Sequence, residues 1–444
     1  MTFEGIPYYR RPLGRIIPFF LLFLKVFWYN LHMNEENQQK IVIVGGGFAG
    51  IRCALDLARK KLPNKKIILI SDKTHFEYYP RIYRVVTGES PLEVCIPLSE
   101  IFKNKEVEVI HDTVTLVDLA GNKVTGSSES VYHYNELVLA LGSETVYFNI
   151  EGVKERSFGF KSINEALKLK KHLHKVFDVH LSSKKEDVVA SLHIVVVGGG
   201  PSGVELVGEL TNYMPHLAKL HSIDNNFVTI DIIEASSRLV PTLPEKVSAR
   251  VYNRLHALGV NIFLNRAVEK EDIDKITMKD MSMKSNTLIW TAGSRTSHFY
   301  GLIAGLTLHR NGRVIVDEYL QADGHDNVYI IGDAANTKYA GLAQTAIYDG
   351  SYIAKVISKK AFKKKASKYV PKKVAYAVPV GRHWAAVSIG PLQVYSFLGW
   401  LVREIADLSF FLSILPWRQA LMINRNQIIS ESCKTCRENI DSSK

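Results

Sequence analysis

Two glycine-rich segments have the residue types and the spacing needed to bind the pyrophosphate of a dinucleotide. The first contains Gly45, Gly47, Phe48, Ala49 and Gly50, and the second contains Gly198, Gly200, Pro201, Ser202 and Gly203. In such a turn, one glycine permits the tight bend, one lets the pyrophosphate approach the backbone, and one lets the following helix pack closely on the strand. The helix N-terminus then presents free N–H groups to the phosphates. The spacing therefore predicts two dinucleotide sites.

Each glycine turn lies between a predicted strand and a predicted helix, which is the context that a dinucleotide-binding turn requires. Apolar runs and helical periodicity predict strands at 40–44, 67–70, 136–140, 193–197, 228–233, 287–291 and 327–331, and helices at 51–58, 164–177 and 204–213. Two βαβ units of one design in one chain predict an α/β fold with two Rossmann-like domains.

Acidic residues stand where the ribose or the ribityl chain of a bound cofactor would lie. An acid at the end of the strand after each turn accepts hydrogen bonds from the adenosine ribose. Glu234 has this position in the second unit and favours NADH over NADPH, although Arg238 nearby leaves NADPH open. In the first unit the position is taken by Asp72. A later strand ends in Gly332-Asp333, which would suit a flavin ribityl chain or a plain turn.

Length, composition and charge indicate a multidomain globular protein with an anionic partner. The 444 residues suffice for two or three domains, and no uncharged apolar run is long enough for a spanning helix. A net charge of +12 indicates an anionic partner, whether nucleic acid, an acidic lipid surface or a phosphate-bearing cofactor. The four cysteines suggest neither a disulfide framework nor a metal cluster, and Cys433 and Cys436 are interpreted as tail thiols. No metal site is expected.

With these motifs, residues 40–422 resemble the two-dinucleotide-binding flavoprotein oxidoreductases, and within them the type II NADH dehydrogenases, which are single-chain NADH:quinone oxidoreductases. The resemblance implies that the first glycine turn and Gly332-Asp333 bind FAD and that the second turn binds NADH. It also implies two short linkers where the chain passes between domains. The linker residues assigned to cofactor binding are Ala140, Gly142, Ala292 and Gly293.

The same resemblance implies three catalytic residues. Glu205 matches a family glutamate near the nicotinamide and the flavin, and would assist hydride or proton movement. Residues 343–350 resemble the family's Ala-Gln-x-Ala-x-Gln-x-Gly segment beside the flavin ring and the quinone pocket. Gln344 is retained and Thr345 follows it, and both are also assigned to cofactor binding. Tyr348 replaces the second glutamine. A phenol still donates and accepts hydrogen bonds, but the change leaves the type of quinone, and even quinone use, open.

The C-terminal region combines a lysine-rich segment, residues 359–373, with an aromatic and aliphatic stretch. Residues 396–423 resemble the amphipathic element that anchors the family at the membrane. Its apolar side chains would enter the lipid headgroup boundary while Arg403, Arg418 and Arg425 reach lipid phosphates, and the lysines would add attraction. A thin polar face would contain Arg403, Glu404 and Asp407. A helix pair buried at a dimer interface is the alternative, and the two are compatible.

The predicted organisation has four parts: a basic and apolar segment of unassigned role at 1–39, an FAD-binding domain at 40–160 and 285–358, an NADH-binding domain at 161–284, and a C-terminal membrane-association region at 359–444. The predicted enzyme takes hydride from NADH onto FAD and passes two electrons to a membrane quinone without pumping protons. We expect a peripheral membrane homodimer on the cytoplasmic face, held to an anionic surface, with no nucleic-acid partner.

Several alternatives stay open at this point. A soluble NADH oxidase, or another FAD-dependent NAD(P)H oxidoreductase with a non-quinone acceptor, would share the two turns. A disulfide reductase or sulfide:quinone oxidoreductase would need a cysteine pair beside the flavin, and the first glycine helix contains only Cys53. A nucleotide-sensing binding protein would use the basic surface without catalysing a reaction.

Overall fold

The computed structural model describes residues 38–178 and 189–424. The segment at 1–37, Arg425, and the tail thiols Cys433 and Cys436 lie outside these ranges. The strands are β1 Gln39–Val44, β2 Lys65–Ser71, β3 His75–Glu77, β4 Cys95–Pro97, β5 Glu108–His111, β6 Val114–Asp118, β7 Lys123–Gly126, β8 Val131–His133, β9 Glu136–Leu139, β10 Ser143–Thr145, β11 His193–Val197, β12 Thr229–Glu234, β13 Asn261–Leu264, β14 Val268–Glu271, β15 Lys275–Met278, β16 Met281–Lys284, β17 Thr287–Trp290, β18 Ser294–Thr296, β19 Val328–Ile330, β20 Tyr376–Pro379, β21 Ala385–Ile389 and β22 Leu392–Val394.

The helices complete this inventory. They are α1 Phe48–Arg59, α2 Ile82–Val86, α3 Leu98–Ile101, α4 Val153–Arg156, α5 Ile163–Asp178, α6 Pro201–Leu220, α7 Glu245–Ala257, α8 Ala343–Ala361, α9 Ser396–Ile414 and α10 Trp417–Asn424.

Two parallel sheets carry the fold. The first has the order β19-β9-β1-β2-β5 and the second the order β13-β12-β11-β17. Most residues of β1 and β11 are buried, as expected for central strands covered on both faces. Helix α1 packs against α8 beside the first sheet. The mixed α/β fold predicted from the two βαβ patterns is therefore confirmed.

The chain passes between the two sheets at two places, and a short antiparallel pair of strands joins these crossings. Strand β10 follows β9 of the first sheet, β18 follows β17 of the second, and β10 pairs with β18. Strand β17 pairs with β11, so the second unit extends to Trp290 and the predicted boundary at 284 is wrong. Its four buried residues complete the second sheet as an outer strand.

Two further elements differ from the expectation. Helix α6 continues beyond 213 to Leu220, through Pro215, because Met214, Leu217 and Ala218 are buried and hold the last turns against the core. Strands β20, β21 and β22 form an antiparallel sheet before α9, in a region for which no strand was predicted. Among the described helices, none has both the length and the apolar character needed to cross a membrane.

Candidate functional site

The first glycine turn places the open N-terminus of α1 at the carboxyl end of β1. A side chain at Gly50 would overlap the carbonyl oxygen of Gly45, so only glycine allows this approach of helix to strand. Gly47 caps α1 without a side-chain hydrogen bond, and a Cβ atom there would meet nothing within 4 Å. Free N–H groups therefore face an open space, which is the arrangement that binds phosphate.

That space belongs to a cavity of about 900 Å³, within the range of sites for small molecules and cofactors. Both units contribute to its walls. The residues predicted from the sequence that line it are Gly45, Gly47, Phe48, Ala49, Asp72, Ala140, Gly142, Ser202, Glu205, Gly293, Gly332 and Asp333. The structure therefore brings the first turn, both chain crossings and the start of the second-unit helix α6 to one cavity.

Gly332 and Asp333 are held in this wall by hydrogen bonds from other elements. The Asp333 carboxylate accepts a hydrogen bond of 2.6 Å from Ser143 Oγ at the first crossing. The backbone N–H of Gly332 donates to Asp349 Oδ2 at 3.1 Å, and the Tyr369 hydroxyl donates to Asp349 Oδ1 at 2.7 Å. Asp349 is fully buried, and burial raises its pKa to about 6. The turn is thus fixed by a carboxylate on α8.

The second glycine turn repeats the first at the end of β11. A side chain at Gly203 would overlap the carbonyl oxygen of Gly198, and Gly200 faces open space at the N-terminus of α6. Pro201 occupies the first turn of this helix, where its missing N–H costs nothing. Ala292 follows β17 at the crossing, close to Gly198. Helix α6 therefore also has a free N-terminus.

Glu234 ends β12 beside this turn. One carboxylate oxygen accepts from the backbone N–H of Gly199 at 2.6 Å and the other from that of Ser236 at 2.7 Å. Arg238 uses both terminal nitrogens within its own loop, donating to the carbonyl oxygens of Pro241 and Leu243 at 2.5 and 2.7 Å. Glu234 is in place to accept hydrogen bonds from ribose hydroxyls, and the Arg238 guanidinium is already used by backbone carbonyls rather than available for a 2′-phosphate. This arrangement favours NADH over NADPH.

Glu205 projects from the second turn of α6 into the cavity wall. Its side chain is 12% exposed, and Arg403 Nη1 lies 3.8 Å from its Oε1 atom. Burial raises the pKa of Glu205 to about 8, although the positive charge of Arg403 opposes the rise. At neutral pH this carboxyl is therefore mostly protonated, with a pKa suited to taking up and releasing a proton.

Arg403 belongs to a buried ion network on the inner side of α9. Its Nε donates to Asp407 Oδ1 at 3.0 Å, and Arg81 Nε donates to Asp407 Oδ2 at 2.7 Å. Glu404 accepts from Arg81 and Arg84 at 2.9 and 2.7 Å. Arg403 is only 8% exposed. The prediction that it reaches lipid phosphates is wrong, because its guanidinium is held inside the protein.

The outward side of α9 is apolar instead. Its exposed side chains, with those at the start of α10, form what we call the apolar outer face: Phe397, Leu398, Leu401, Ile405, Leu412 and Trp417. Arg418 is exposed beside the Trp417 ring, 5.3 Å from the ring centroid. The helix therefore buries Arg403 and Asp407 together with Phe411 and Ile414, and it exposes a row of other hydrophobic side chains.

Gln344, Thr345 and Tyr348 lie in the first two turns of α8 but do not line the cavity. The exposed Gln344 amide exchanges two hydrogen bonds with the backbone of Ala375, at 3.0 and 3.1 Å. Thr345 Oγ1 donates to a backbone carbonyl at 2.7 Å. The Tyr348 ring lies under the Lys372 ammonium, 4.4 Å from the ring centroid. The catalytic and cofactor roles given to these three residues stay predictions.

Residues 39–350 match the family model described as pyridine nucleotide-disulphide oxidoreductase. The chain is 30% identical over 420 residues to the type II NADH:quinone oxidoreductase Ndh of Mycobacterium tuberculosis, an alignment that covers 88% of this chain and 89% of that protein. The chain belongs to the type II NADH:quinone oxidoreductase family. The resemblance stated from the sequence is thereby confirmed.

One further curated relative supports the assignment, and one solved structure shares the fold. The type II NADH:quinone oxidoreductase of Staphylococcus haemolyticus is 28% identical over 340 residues, covering 72% of this chain and 82% of that protein. The solved structure of NDH2 from Plasmodium falciparum in complex with NADH has a TM-score of 0.77 at 19% identity, covering 88% of this chain and 97% of that chain. The second comparison shows a shared fold.

Some side chains around the cavity were not predicted. Lys161 and Ser143 line it, but the sequence contains no motif that singles them out. Asp349 lies inside the 343–350 segment, for which the sequence predicted roles only for Gln344, Thr345 and Tyr348. Cys53, which the thiol-dependent alternative would need beside the flavin, is fully buried in α1 outside the cavity lining, and burial raises the pKa of its thiol.

Proposed function

We propose that this family member oxidises NADH with a membrane quinone through bound FAD, so that NADH, a proton and quinone yield NAD⁺ and quinol. The observation that supports this most directly is that the first glycine turn and Ser202 and Glu205 of the second unit line the same cavity. Cofactors held at the two turns would meet there, which converts hydride transfer into a reaction between neighbours. FAD, when bound, supplies the two-electron chemistry.

The chain's own residues position the two cofactors in this proposal. The first turn and the α1 N-terminus hold the FAD pyrophosphate, Asp72 faces the adenosine ribose, and Asp333 faces the ribityl chain. The open face at Gly47 and the size of the cavity fit such a group. The second turn and Glu234 hold NADH in the same manner, with the α6 N-terminus at its pyrophosphate.

Glu205 moves a proton at the junction. Quinol formation consumes two protons while hydride transfer delivers one, so a nearby group must take up a proton from solvent. Glu205 lines the cavity, and its pKa of about 8 lets its carboxyl both hold and release that proton near neutral pH. Arg403 behind it limits how far burial raises the pKa.

We also propose that the apolar outer face lies on the membrane. An apolar patch of this kind on a water-soluble surface marks a lipid or protein contact. The inner side of α9 is occupied by the Arg403–Asp407 network, so only the outer side is available. Arg418, exposed beside Trp417, would then meet anionic headgroups, and the 359–373 lysines would add attraction through their net positive charge. The homodimer and the cytoplasmic face stay predictions.

Anaerobic stopped-flow absorbance tests the redox proposal. NADH should bleach the flavin band, and a short-chain quinone should restore it. Glu205→Gln should be bleached by NADH at close to the wild-type rate and re-oxidised by quinone at least tenfold more slowly, because only the second step needs the proton. Glu269→Gln, at an exposed position, is the matched control. A protein that is colourless and cannot be reconstituted with FAD would contradict the proposal.

Vesicle sedimentation tests the membrane proposal. The double variant Leu401→Asp, Ile405→Asp should bind anionic vesicles at least tenfold more weakly, since burying each apolar side chain contributes about 1.5–3 kcal/mol. Leu302→Asp changes a leucine elsewhere that is more exposed than either residue, and it should bind as wild type does. If the double variant keeps its vesicle affinity but changes from dimer to monomer in sedimentation velocity, a second copy of the chain covers this face instead.

A further inference from the structure

The cavity is strongly acidic. Seven acidic side chains, one of them Glu205 with its raised pKa, and two lysines line it, and its lining contains no arginine. One of the lysines, Lys73, donates to Glu77 at 2.5 Å and is neutralised by it. The other, Lys161, makes no ion pair within the part of the chain that the structure describes. Lys161 is therefore the lysine of this wall whose charge is available to a bound molecule.

Lys161 is also held in place at a defined position. Its backbone N–H donates to Glu165 Oε2 at 2.6 Å, just before α5 begins. Its Nζ atom donates to Ser143 Oγ at 3.1 Å, and Ser143 in turn donates to Asp333 at 2.6 Å. Two hydrogen bonds thus connect the ammonium to the carboxylate that the proposed function places at the ribityl chain. The lysine lies at the ribityl end of the cavity.

We propose that Lys161 supplies the positive charge that offsets the negative charge gained by the flavin when it accepts hydride. The inference rests on the proposed function. A hydride carries two electrons and one proton, so NADH leaves as NAD⁺ and the flavin ring gains one negative charge. The later transfer of two electrons to quinone, with two protons, removes it. A cation fixed in a partly buried wall stabilises the reduced state more than the oxidised state.

The negative charges around Lys161 increase the importance of its positive charge for a negatively charged flavin. The carboxylates of Asp333, Glu165 and Glu144 act on Lys161 and favour its charged form, against the lowering of its pKa by burial. The same carboxylates would repel a negatively charged flavin. Because the wall is acidic, the loss of a single positive charge is not compensated by the residues around it.

The midpoint potential of the bound flavin tests the proposal. Lys161→Met should shift the equilibrium between reduced and oxidised flavin at least tenfold toward the oxidised form, which for a two-electron couple is about 30 mV more negative. Lys161→Arg keeps the charge and should stay close to wild type. Ser143→Ala removes the hydrogen bond but keeps the lysine, so its potential should move by less than half as much.

Two results would overturn the proposal. An unchanged potential in Lys161→Met would show that the charge does not act on the flavin. Equal shifts in Lys161→Met and Ser143→Ala would show that Lys161 acts only by holding Ser143 and Asp333. The titration uses a chemical reductant, so it reports on Lys161 even if NADH fails to reduce the wild-type flavin, which would contradict the proposed function alone. Flavin content and the arginine variant check that the fold is intact.

Discussion

Replacing Glu205 by glutamine should change how the stability of the protein depends on pH. The folded protein raises the pKa of this carboxyl from 4.5 to about 8, mainly through burial. It therefore holds the proton more tightly than the unfolded chain. Stability from this group is fully present below pH 4.5 and is lost as pH rises toward 8. At about 1.4 kcal/mol per pH unit, the full loss is about 5 kcal/mol.

Because the Glu205 side chain is 12% exposed, solvent screens part of this effect, and we expect a measured loss of about 2–5 kcal/mol. Other buried carboxyls titrate in the same window, since burial raises the pKa of Glu271 to about 8 and that of Glu93 to about 7. The difference between wild type and Glu205→Gln removes their contribution. Denaturant unfolding at pH 5, 7 and 9 measures it, with Glu269→Gln as the control. A difference that stays constant across this range would refute the reasoning.

Three further predictions follow from the geometry. Gly203→Ala should lower the melting temperature, because the added Cβ atom would overlap a backbone carbonyl oxygen. Gly200→Ala should keep the wild-type melting temperature, because its added Cβ atom would face open space. The Gly200→Ala variant should nevertheless bind NADH at least tenfold more weakly in a fluorescence titration. Arg81→Met should lower the unfolding free energy by about 3–5 kcal/mol, because it leaves the buried Asp407 without one of its cations. Glu234→Gln should raise the KM for NADH about tenfold with little change in kcat, since charge-assisted hydrogen bonds contribute about 1.5–3 kcal/mol; steady-state kinetics measure it.

The two nucleotide-binding units could be predicted because their evidence is local in sequence. A buried strand, a glycine turn and a helix follow each other within about twenty residues, and each step has its own chemical signature. The same holds for Glu234, which ends a strand whose alternation of apolar residues is clear. The boundary at 284 was misplaced because β17 is short, and its assignment depends on pairing with β11, about ninety residues earlier.

The orientation of α9 could not be predicted, because amphipathic periodicity defines two faces without saying which one is inside. Arg403, Glu404 and Asp407 read as a solvated face. Their partners, Tyr78, Arg81 and Arg84, lie more than three hundred residues earlier. Burying charge is favourable only when such partners are present, and a single sequence does not reveal them. The apolar outer face follows directly from this pairing.

Helix α9 has a different role on each of its two sides: the ion network lies on its inner side and the apolar outer face on its outer side. On its inner side Arg403 lies 3.8 Å from Glu205, and two residues further along the helix Ile405 is 59% exposed. Arg403 also connects the helix to its neighbours, because it donates to the backbone carbonyls of Pro80 and Ala377 at 2.6 and 2.8 Å. A surface contact on one side of α9 and the proton-active carboxyl on the other are therefore separated by a single helix. The element proposed to meet the membrane is, for this reason, also the one whose arginine acts on the pKa of Glu205 in the cavity wall.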